Sequence, residues 1–397
     1  MAQLSSGSPG ASGPAAAGPE LQVPVSKLPS AQAQASLDEL FYDYTVFELD
    51  TSAIHQQVER HSALSIHLGN QIFDLDLQLN DLRDADYRAV LMDESGKEQL
   101  VDVPVVTYKG LVQGEKQSLV RLTVQPGFFT GYVQTEEAWV FIDPLSDYID
   151  GASPTDVVVY RDDDVKPDAS KTCGSGGLIS HAPALLSAAV PTGGSATEAP
   201  RRIDVATEAD GQYFASYGNP GIFTRAQGII NAVDGLYRSQ LNLTLNITYQ
   251  HGWSSIPGDP YTSLNASTSL SQLRSWWNSN RASINRDITH KFSGKNFSGS
   301  TIGIAYVGVV CNAPSFGYGI SEDQSSSFIR TQLTAHEIGH NLSANHDNQA
   351  PVCSGVSCSG FGPIMCASIQ SSGSNLFSSC SLSSIASHTA TFPGCLN

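Results

Sequence analysis

The sequence predicts a two-part protein, in which an α/β domain with a twisted, mostly parallel sheet and helices (residues 201–397) follows a mainly β region (residues 39–161). At 397 residues the chain is longer than the cores of single domains usually allow. Strand patterns alternate with helical patterns after residue 201, which is typical of α/β domains. Two stretches rich in Gly, Ala, Ser and Pro predict a disordered leader (residues 1–38) and a linker (residues 162–200).

The mainly β region contains short alternating segments separated by turn signals. SLVRLTV, FFTGYV and AWVFIDP follow one another, with turns predicted at Pro126–Gly127 and around Glu136–Glu137. This pattern predicts a meander of antiparallel strands.

The α/β region alternates between two apolar periods. Helical spacing in FTRAQGIINAVDGLYRSQL, LSQLRSWWNSNRASI and SSFIRTQLTAHEIGHNL predicts three helices. The segments IDVATEA, LTLNITY and IGIAYVGVV are apolar or alternating and predict strands. The last of these, Ile302–Val310, suits an inner or edge strand.

Charge and cysteine content limit the class of protein. The net charge is −17, and residues 201–397 are neutral with ten acidic and ten basic side chains, so all the excess acidity lies in the first half. Nucleic acid is an unsuitable partner because it requires a basic face, and no apolar stretch is long enough for a membrane anchor. Six of the seven cysteines lie near the C-terminus, which favours three disulfides in an oxidising, extracellular compartment and leaves Cys173 over. Sequons at Asn242, Asn246, Asn265 and Asn296 agree with secretion, although the opening residues contain no apolar core of a signal peptide.

The segment His336-Glu337-Ile338-Gly339-His340 carries the clearest chemical signal. Two histidines at i and i+4 lie on one face of a helix, and this spacing suits one zinc ion. Glu337 is rotated by about 100° from His336. It is therefore free to act as a catalytic base.

A catalytic zinc takes three protein ligands, and His346 is the candidate for the third. It follows His340 after the expected end of the helix, where a sharp reversal would return it to the ion. Met365, in Gly-Pro-Ile-Met, is spaced for a turn beneath a metal site. The remaining histidines have no ligand spacing and are interpreted as surface or core residues.

HEIGHNLSANHD followed by GPIMCA resembles the metzincin signature, and NLFSSCSL with the cysteine pattern is similar to the reprolysin (adamalysin) branch, the type found in ADAM and snake-venom zinc metalloproteases. RRIDVATEAD and FSGKNFSGSTIGIAYVGVVC resemble strands of that catalytic domain, while VVTYKGLVQGEKQSLVRLTV and WVFIDPLSDY resemble its pro-domain. The resemblance implies a metzincin-type catalytic domain preceded by a pro-domain that binds it in cis.

The resemblance also implies roles for the cysteines. Cys311 would pair with Cys395, Cys353 with Cys380, and Cys358 with Cys366, although the sequence alone permits fifteen connectivities. Cys173, the leftover thiol, would be the inhibitory zinc ligand of the precursor, whereas an unpaired linker cysteine is the alternative. The dibasic pair Arg201–Arg202 is a candidate activation cleavage point.

One position departs from the family pattern. Ser343 stands where the family usually has glycine, at the point where the helix ends in a left-handed conformation that costs a non-glycine residue roughly 1–2 kcal/mol. Asp347 matches the His-Asp ending of reprolysins.

The function predicted is a secreted, latent zinc endopeptidase that hydrolyses protein or peptide substrates, with one catalytic Zn²⁺ and with Glu337 as the base. A calcium ion near Asp287 and Asn397 is a further expectation from the resemblance. Two alternatives remain open, a catalytically inactive zinc-containing secreted binding module and a zinc hydrolase of non-peptide bonds. Retention of Glu337 argues against the binding module, and a strand-lined cleft argues against the other hydrolase.

Overall fold

The computed structural model describes residues 19–68, 71–168, 170–175, 199–349, 353–359, 362–369 and 374–396. We refer to residues 19–175 as the first half and to residues 199–396 as the second half. No helix in these ranges has both the length and the apolar character needed to cross a bilayer.

The first half is built on a ten-stranded, mainly antiparallel sheet in the order β1-β4-β5-β8-β9-β10-β11-β12-β3-β2. The predicted meander is present as β9, β10 and β11, and Gly127 adopts a φ of +77° in the first of its turns. The elements of this half are β1 (Leu21–Gln22), β2 (Val25–Lys27), α1 (Ala31–Leu40), β3 (Thr45–Glu48), α2 (Thr51–His61), β4 (Ala63–Leu68), β5 (Gln71–Leu79), β6 (Arg83–Met92), β7 (Glu98–Val101), β8 (Thr107–Val112), β9 (Leu119–Gln125), β10 (Phe128–Gln134), β11 (Trp139–Pro144), β12 (Asp156–Arg161) and β13 (Thr172–Cys173).

Regular structure begins earlier than the predicted leader boundary at residue 38. β1 and β2 pair with β4 and β3, and α1 begins at a side-chain cap from Ser30. Leu37 is fully buried, because α1 packs its apolar side on the sheet of the first half. Composition alone did not reveal these contacts. Residues 1–18 and most of the predicted linker, residues 176–198, lie outside the described ranges.

The second half contains an eight-stranded sheet in the order β13-β17-β18-β16-β14-β15-β6-β7, and five of its seven pairings are parallel. The mixed sheet with helices agrees with the predicted α/β class. The three predicted helices are present as α4, α5 and α6. The elements of this half are β14 (Arg201–Ala209), α3 (Gly211–Tyr217), α4 (Gly221–Leu241), β15 (Leu243–Trp253), α5 (Ala266–Asn280), β16 (Ile288–Ser293), β17 (Thr301–Ala305), β18 (Tyr318–Glu322), α6 (Ser327–Asn341) and α7 (Ser379–Thr391).

The β6–β7 hairpin belongs to the first half in sequence but extends the sheet of the second half. β6 pairs in parallel with β15. Its run Ala89–Met92 is buried on both faces, since Ala89 and Leu91 pack in one apolar cluster while Val90 and Met92 pack in another. A continuous apolar run of this kind is typical of a strand covered on both sides. The predicted boundary after residue 161 therefore does not separate the two sheets.

The strand predicted over Ile302–Val310 is shorter in the structure and ends at Ala305 as β17. The next residues bend away because their backbone amides satisfy the end of α6. Gly308 N donates to His340 O at 2.9 Å, and Val309 N donates to Asn341 O at 2.9 Å. Carbonyls in the last turn of a helix need such external donors.

The two halves meet across α4, which packs on β8, β9 and β10. Gly235 permits this approach, because a Cβ at that position would lie 2.3 Å from the Tyr132 hydroxyl. Tyr132 donates its hydroxyl proton to Ala232 O at 3.0 Å. Arg121 and Asp234 form an ion pair at 3.2 Å, and their side chains are 4% and 2% exposed.

Six cysteines form three disulfides, Cys311–Cys395, Cys353–Cys380 and Cys358–Cys366, which is the pairing that the family resemblance implies. Cys353–Cys380 joins the chain after α6 to the start of α7. Cys358–Cys366 closes a loop within the segment between these two helices. Cys173 is the remaining cysteine, and it is buried.

The Arg121–Asp234 pair leads to a prediction about stability. Replacing Arg121 with alanine is expected to lower the free energy of unfolding by about 3 kcal/mol, because the Asp234 carboxylate would stay buried without its cation. Urea denaturation followed by tryptophan fluorescence measures this change. The matched control is Arg161→Ala, which breaks a pair that is 45% and 49% exposed and should cost less than about 0.5 kcal/mol. Equal losses in the two variants would contradict the prediction.

Candidate metal centre

The predicted metal-binding motif lies in the last turns of α6. Ser326 caps the start of the helix, since its hydroxyl accepts from Ile329 N. Every residue from Phe328 to Asn341 is buried. His336 and His340 project from one face with ring centroids 4.6 Å apart, as the i, i+4 spacing predicts.

The chain reverses directly after α6 in a Schellman motif. Ala344 N donates to Gly339 O at 2.9 Å, and Ser343 N donates to His340 O at 2.9 Å. Ser343 is in the left-handed region with a φ of +71°. The departure from glycine at this position thus leaves the predicted conformation unchanged. The reversal returns His346 to the face of α6, with its ring 4.8 Å from that of His340.

The three histidines direct ring nitrogens at one another, and the nitrogens of His336 and His340 are unprotonated. His336 Nδ1 lies 2.7 Å from Ile364 O, and His340 Nδ1 lies 2.7 Å from Ala344 O, so each Nδ1–H donates to a carbonyl. That leaves the Nε2 lone pairs of these two residues facing inward. His340 Nε2 and His346 Nε2 lie 3.2 Å apart, and His336 Nε2 has no hydrogen-bond partner within the described residues. Buried lone pairs that converge in this way fit a cation.

Cys173 completes the group. Its Sγ lies 3.5 Å from His340 Nε2, and one ligand atom from each of Cys173, His336, His340 and His346 falls within 4.8 Å of every other. One thiolate and three imidazoles are a ligand set that zinc accepts. The structure therefore brings together all four residues that the sequence assigned to the metal.

Backbone pairing on both sides carries Cys173 to this place. β13 pairs with β17, and Gly174 N donates to Gly303 O at 2.9 Å. On the other side Cys173 N donates to Ala367 O at 2.8 Å. Ser175, which the sequence analysis did not identify, ties the segment down, because its hydroxyl donates to Ala305 O and accepts from Ala305 N. The only feature of the sequence that could have indicated Ser175 is its position two residues after Cys173.

Glu337 is fully buried beside the histidines. Neither of its carboxylate oxygens has a hydrogen-bond partner among the described residues. Burial raises the pKa of Glu337 to about 8, and burial also raises the pKa of the Cys173 thiol well above its ordinary value. A Cβ at Gly303 would lie 2.4 Å from Glu337 Oε1, so only glycine leaves room for the carboxylate beside β17.

Met365 lies under the helix, as its spacing predicts. It is fully buried, and its sulfur is 2.7 Å from the position that a Cβ on Gly339 would occupy. The preceding carbonyl, Ile364 O, orients His336. Asp347 links the same turn to α7, since its amide donates to Met365 O and its carboxylate accepts from the hydroxyls of Ser378 and Ser381.

The expected calcium site gains no support from the described residues. Asp287 groups only with Cys311 and Cys395, whose sulfurs are joined in a disulfide. The Asp287 carboxylate accepts from Asp204 N at 2.7 Å, and burial raises its pKa to about 7. Asn397, the other predicted ligand, lies outside the described residues.

These features suit a metallopeptidase-type site, and the match of one family model supports the same class. Residues 199–378 match a family model, Reprolysin_5, described as metallo-peptidase family M12. Metalloproteinase-II from Bacteroides fragilis is a structural neighbour at 12% identity, with a TM-score of 0.47 over 89% of this chain and 94% of that one. A second neighbour is reported as a chaperone-substrate complex, at 15% identity and a TM-score of 0.39 over 51% of this chain and 36% of the other. The second half is thus similar to family M12 metallopeptidases.

The converging histidines predict metal binding that can be tested without any assay of activity. The full chain is expected to retain one zinc ion after gel filtration. Replacing His336 with asparagine removes a direct ligand and should weaken zinc binding by more than ~100-fold, which is the most that loss of a hydrogen-bond partner of a ligand usually costs. Elemental analysis measures the zinc content, and chelator competition measures the affinity. His61→Asn, at the exposed end of α2, serves as the control and should bind zinc like the original chain. Normal affinity in His336→Asn would contradict this assignment.

Proposed function

We propose that the chain is the latent precursor of a secreted, reprolysin-type zinc endopeptidase. The second half would hydrolyse peptide bonds in extended protein substrates, and the first half would act in cis as its pro-domain. One observation carries the proposal: three inward-facing imidazoles lie beside the unpartnered carboxylate of Glu337. The match to family M12 supports the same reaction class.

The residues present fit zinc. His336, His340 and His346 would hold the ion, which would supply Lewis acidity to a substrate carbonyl and to water. Glu337 would accept a proton from water and deliver it to the leaving amine. Burial suits this role, because a carboxylate with a raised pKa is a stronger base and accepts a proton from water more readily than an exposed one.

The position of β13 supports a substrate that binds as an extended strand. β13 pairs with β17 on one side and reaches the 366–369 segment on the other through the Thr172–Ser368 bridge. A peptide that took the place of β13 would add a strand to the same sheet. In the precursor this position is held by the chain itself, and Cys173 contacts the histidines from it.

Three disulfides support secretion, since such bonds persist in oxidising compartments. The proposed dibasic cleavage point, Arg201–Arg202, forms the start of β14, where the two residues pair with Leu243 and Thr244. Arg201 also donates to Thr389 O at 2.8 Å. Cutting between the arginines would require this first part of the strand to open.

Latency should depend on Cys173. A Cys173→Ala chain is expected to cleave an internally quenched peptide at least ~10-fold faster than the original chain, because one ligand that competes with substrate is lost. Thr172→Val is the matched control, since it changes the neighbouring side chain and keeps the thiol. Unchanged latency in Cys173→Ala would contradict the inhibitory role.

Catalysis should depend on Glu337. In the Cys173→Ala background, Glu337→Gln is expected to lower kcat/KM by at least ~100-fold while the zinc content stays at one ion per chain. The exposed Glu136→Gln variant should leave both values unchanged. Zinc binding without any peptide cleavage in the Cys173→Ala parent would instead favour the zinc-containing binding module.

A further inference from the structure

Ser343 occupies a position that favours glycine. It is the left-handed residue of the Schellman motif that ends α6, with a φ of +71°, and it is completely buried. Residues other than glycine rarely adopt this backbone conformation, because their Cβ atom then crowds the following carbonyl oxygen. A compensating interaction is therefore expected at this position.

The compensating contact is a buried hydrogen bond to α7. Ser343 Oγ lies 2.7 Å from His388 Nδ1, and His388 Nε2 lies 2.9 Å from Val310 O. A carbonyl only accepts, so Nε2 carries the proton and Nδ1 accepts from the serine hydroxyl. His388 is completely buried and uses both ring nitrogens. The bond thus has one defined direction, from the serine to the histidine.

The turn that this bond holds also orients two of the metal-binding histidines. Ala344, the next residue, offers its carbonyl to His340 Nδ1 at 2.7 Å. His346 follows two residues later. On the other side of His388, Val310 ends the loop whose amides bond to the last carbonyls of α6. His388 therefore joins the turn behind the histidines to the loop that follows β17.

We propose that Ser343 and His388 are positioning residues for the metal, and that their hydrogen bond holds the left-handed turn that aims His340 and His346. Without the bond, the metal-free turn would relax towards a conformation that L-residues prefer. Metal binding would then have to restore the left-handed turn, and the apparent affinity would fall. This inference rests on the metal site of the proposed function and not on peptide hydrolysis.

Three variants in the Cys173→Ala full chain separate the hydroxyl from the backbone conformation. Ser343→Ala keeps the crowded Cβ and loses the bond, so zinc affinity should fall by ~10-fold or more. Ser343→Gly loses both the bond and the crowding, and its affinity should stay within ~3-fold of the parent, because glycine adopts the turn freely. His388→Ala should weaken binding in the Ser343 chain, and its effect should be smaller in the Ser343→Gly chain.

Chelator competition gives the zinc dissociation constants, and the visible spectrum of the Co²⁺-substituted chain reports the ligand geometry independently. Ser321→Ala is the matched control, since it removes another buried serine–histidine contact, 2.9 Å from His290 Nε2, where the serine has no positive φ. It should leave metal affinity and the Co²⁺ spectrum unchanged.

A parental affinity in Ser343→Ala, or equal losses in Ser343→Ala and Ser343→Gly, would overturn the inference. Ser343→Gly is expected to fold whatever the role of the hydroxyl, so it provides a test even if Ser343→Ala is unstable. A zinc affinity in Ser343→Gly more than ~10-fold below that of the parent would also overturn the inference. A parent chain that binds no zinc would contradict the metal site itself, which distinguishes the two failures.

Discussion

The Nε2 atoms of His340 and His346 lie 3.2 Å apart in a buried space, and both face the same point as His336 Nε2 and the Cys173 sulfur. Two of these nitrogens cannot be donors, because their Nδ1 partners are carbonyls. A neutral His346 with its proton on Nε2 could donate to His340 Nε2, whereas a cation at this point would be bound by the lone pairs of all three rings. Burial lowers the pKa of His340 to about 3, so this ring stays neutral near pH 7 and keeps its inward lone pair. The arrangement of α6, the reversal after it and β13 therefore fits a metal ion.

The opposite end of α6 depends on the first half. Asp143 accepts from Ser327 N at 3.0 Å at the start of the helix, and the hydroxyls of Tyr148 and Tyr160 donate to the same carboxylate. Asp147 pairs with Arg225 and Arg330. Burial would raise the pKa of Asp147, but the two guanidinium groups hold it below its ordinary value. Part of the acidic excess of the first half thus serves the interface, and the start of the helix that carries the candidate metal ligands is held by residues of the first half.

The sequence predicted the parts of the site that follow from local periodicity. His336, Glu337 and His340 have relative positions set by the helix, and His346 follows as the candidate for the third ligand. The family resemblance supplied the role of Cys173 and the disulfide pairing. The pairing of β6 with β15 was not predicted, because an apolar run such as Ala89–Met92 does not identify its partner strand. His388 was interpreted as a surface or core residue, since its contacts with Ser343 and Val310 join positions far apart in the chain. Long-range pairing, and not local conformation, accounts for what sequence reasoning did not find.

In the proposed precursor, the Cys173 thiol and the pairing of β13 would block the site together. Cys173 reaches the histidines only because its backbone bonds to Ala367 and the next amide bonds to Gly303, so the thiol cannot enter without β13 filling the cleft. The reverse also holds. A peptide that displaced β13 would remove the sulfur, and a reagent that attacked the sulfur would first need to open a strand whose thiol-bearing residue is only 8% exposed. Because α4 and the β6–β7 hairpin also bind the first half to the second, β13 would stay paired more often in a chain that lost only the thiol than in one that lost the first half, and the activity gained on loss of the thiol would be partial.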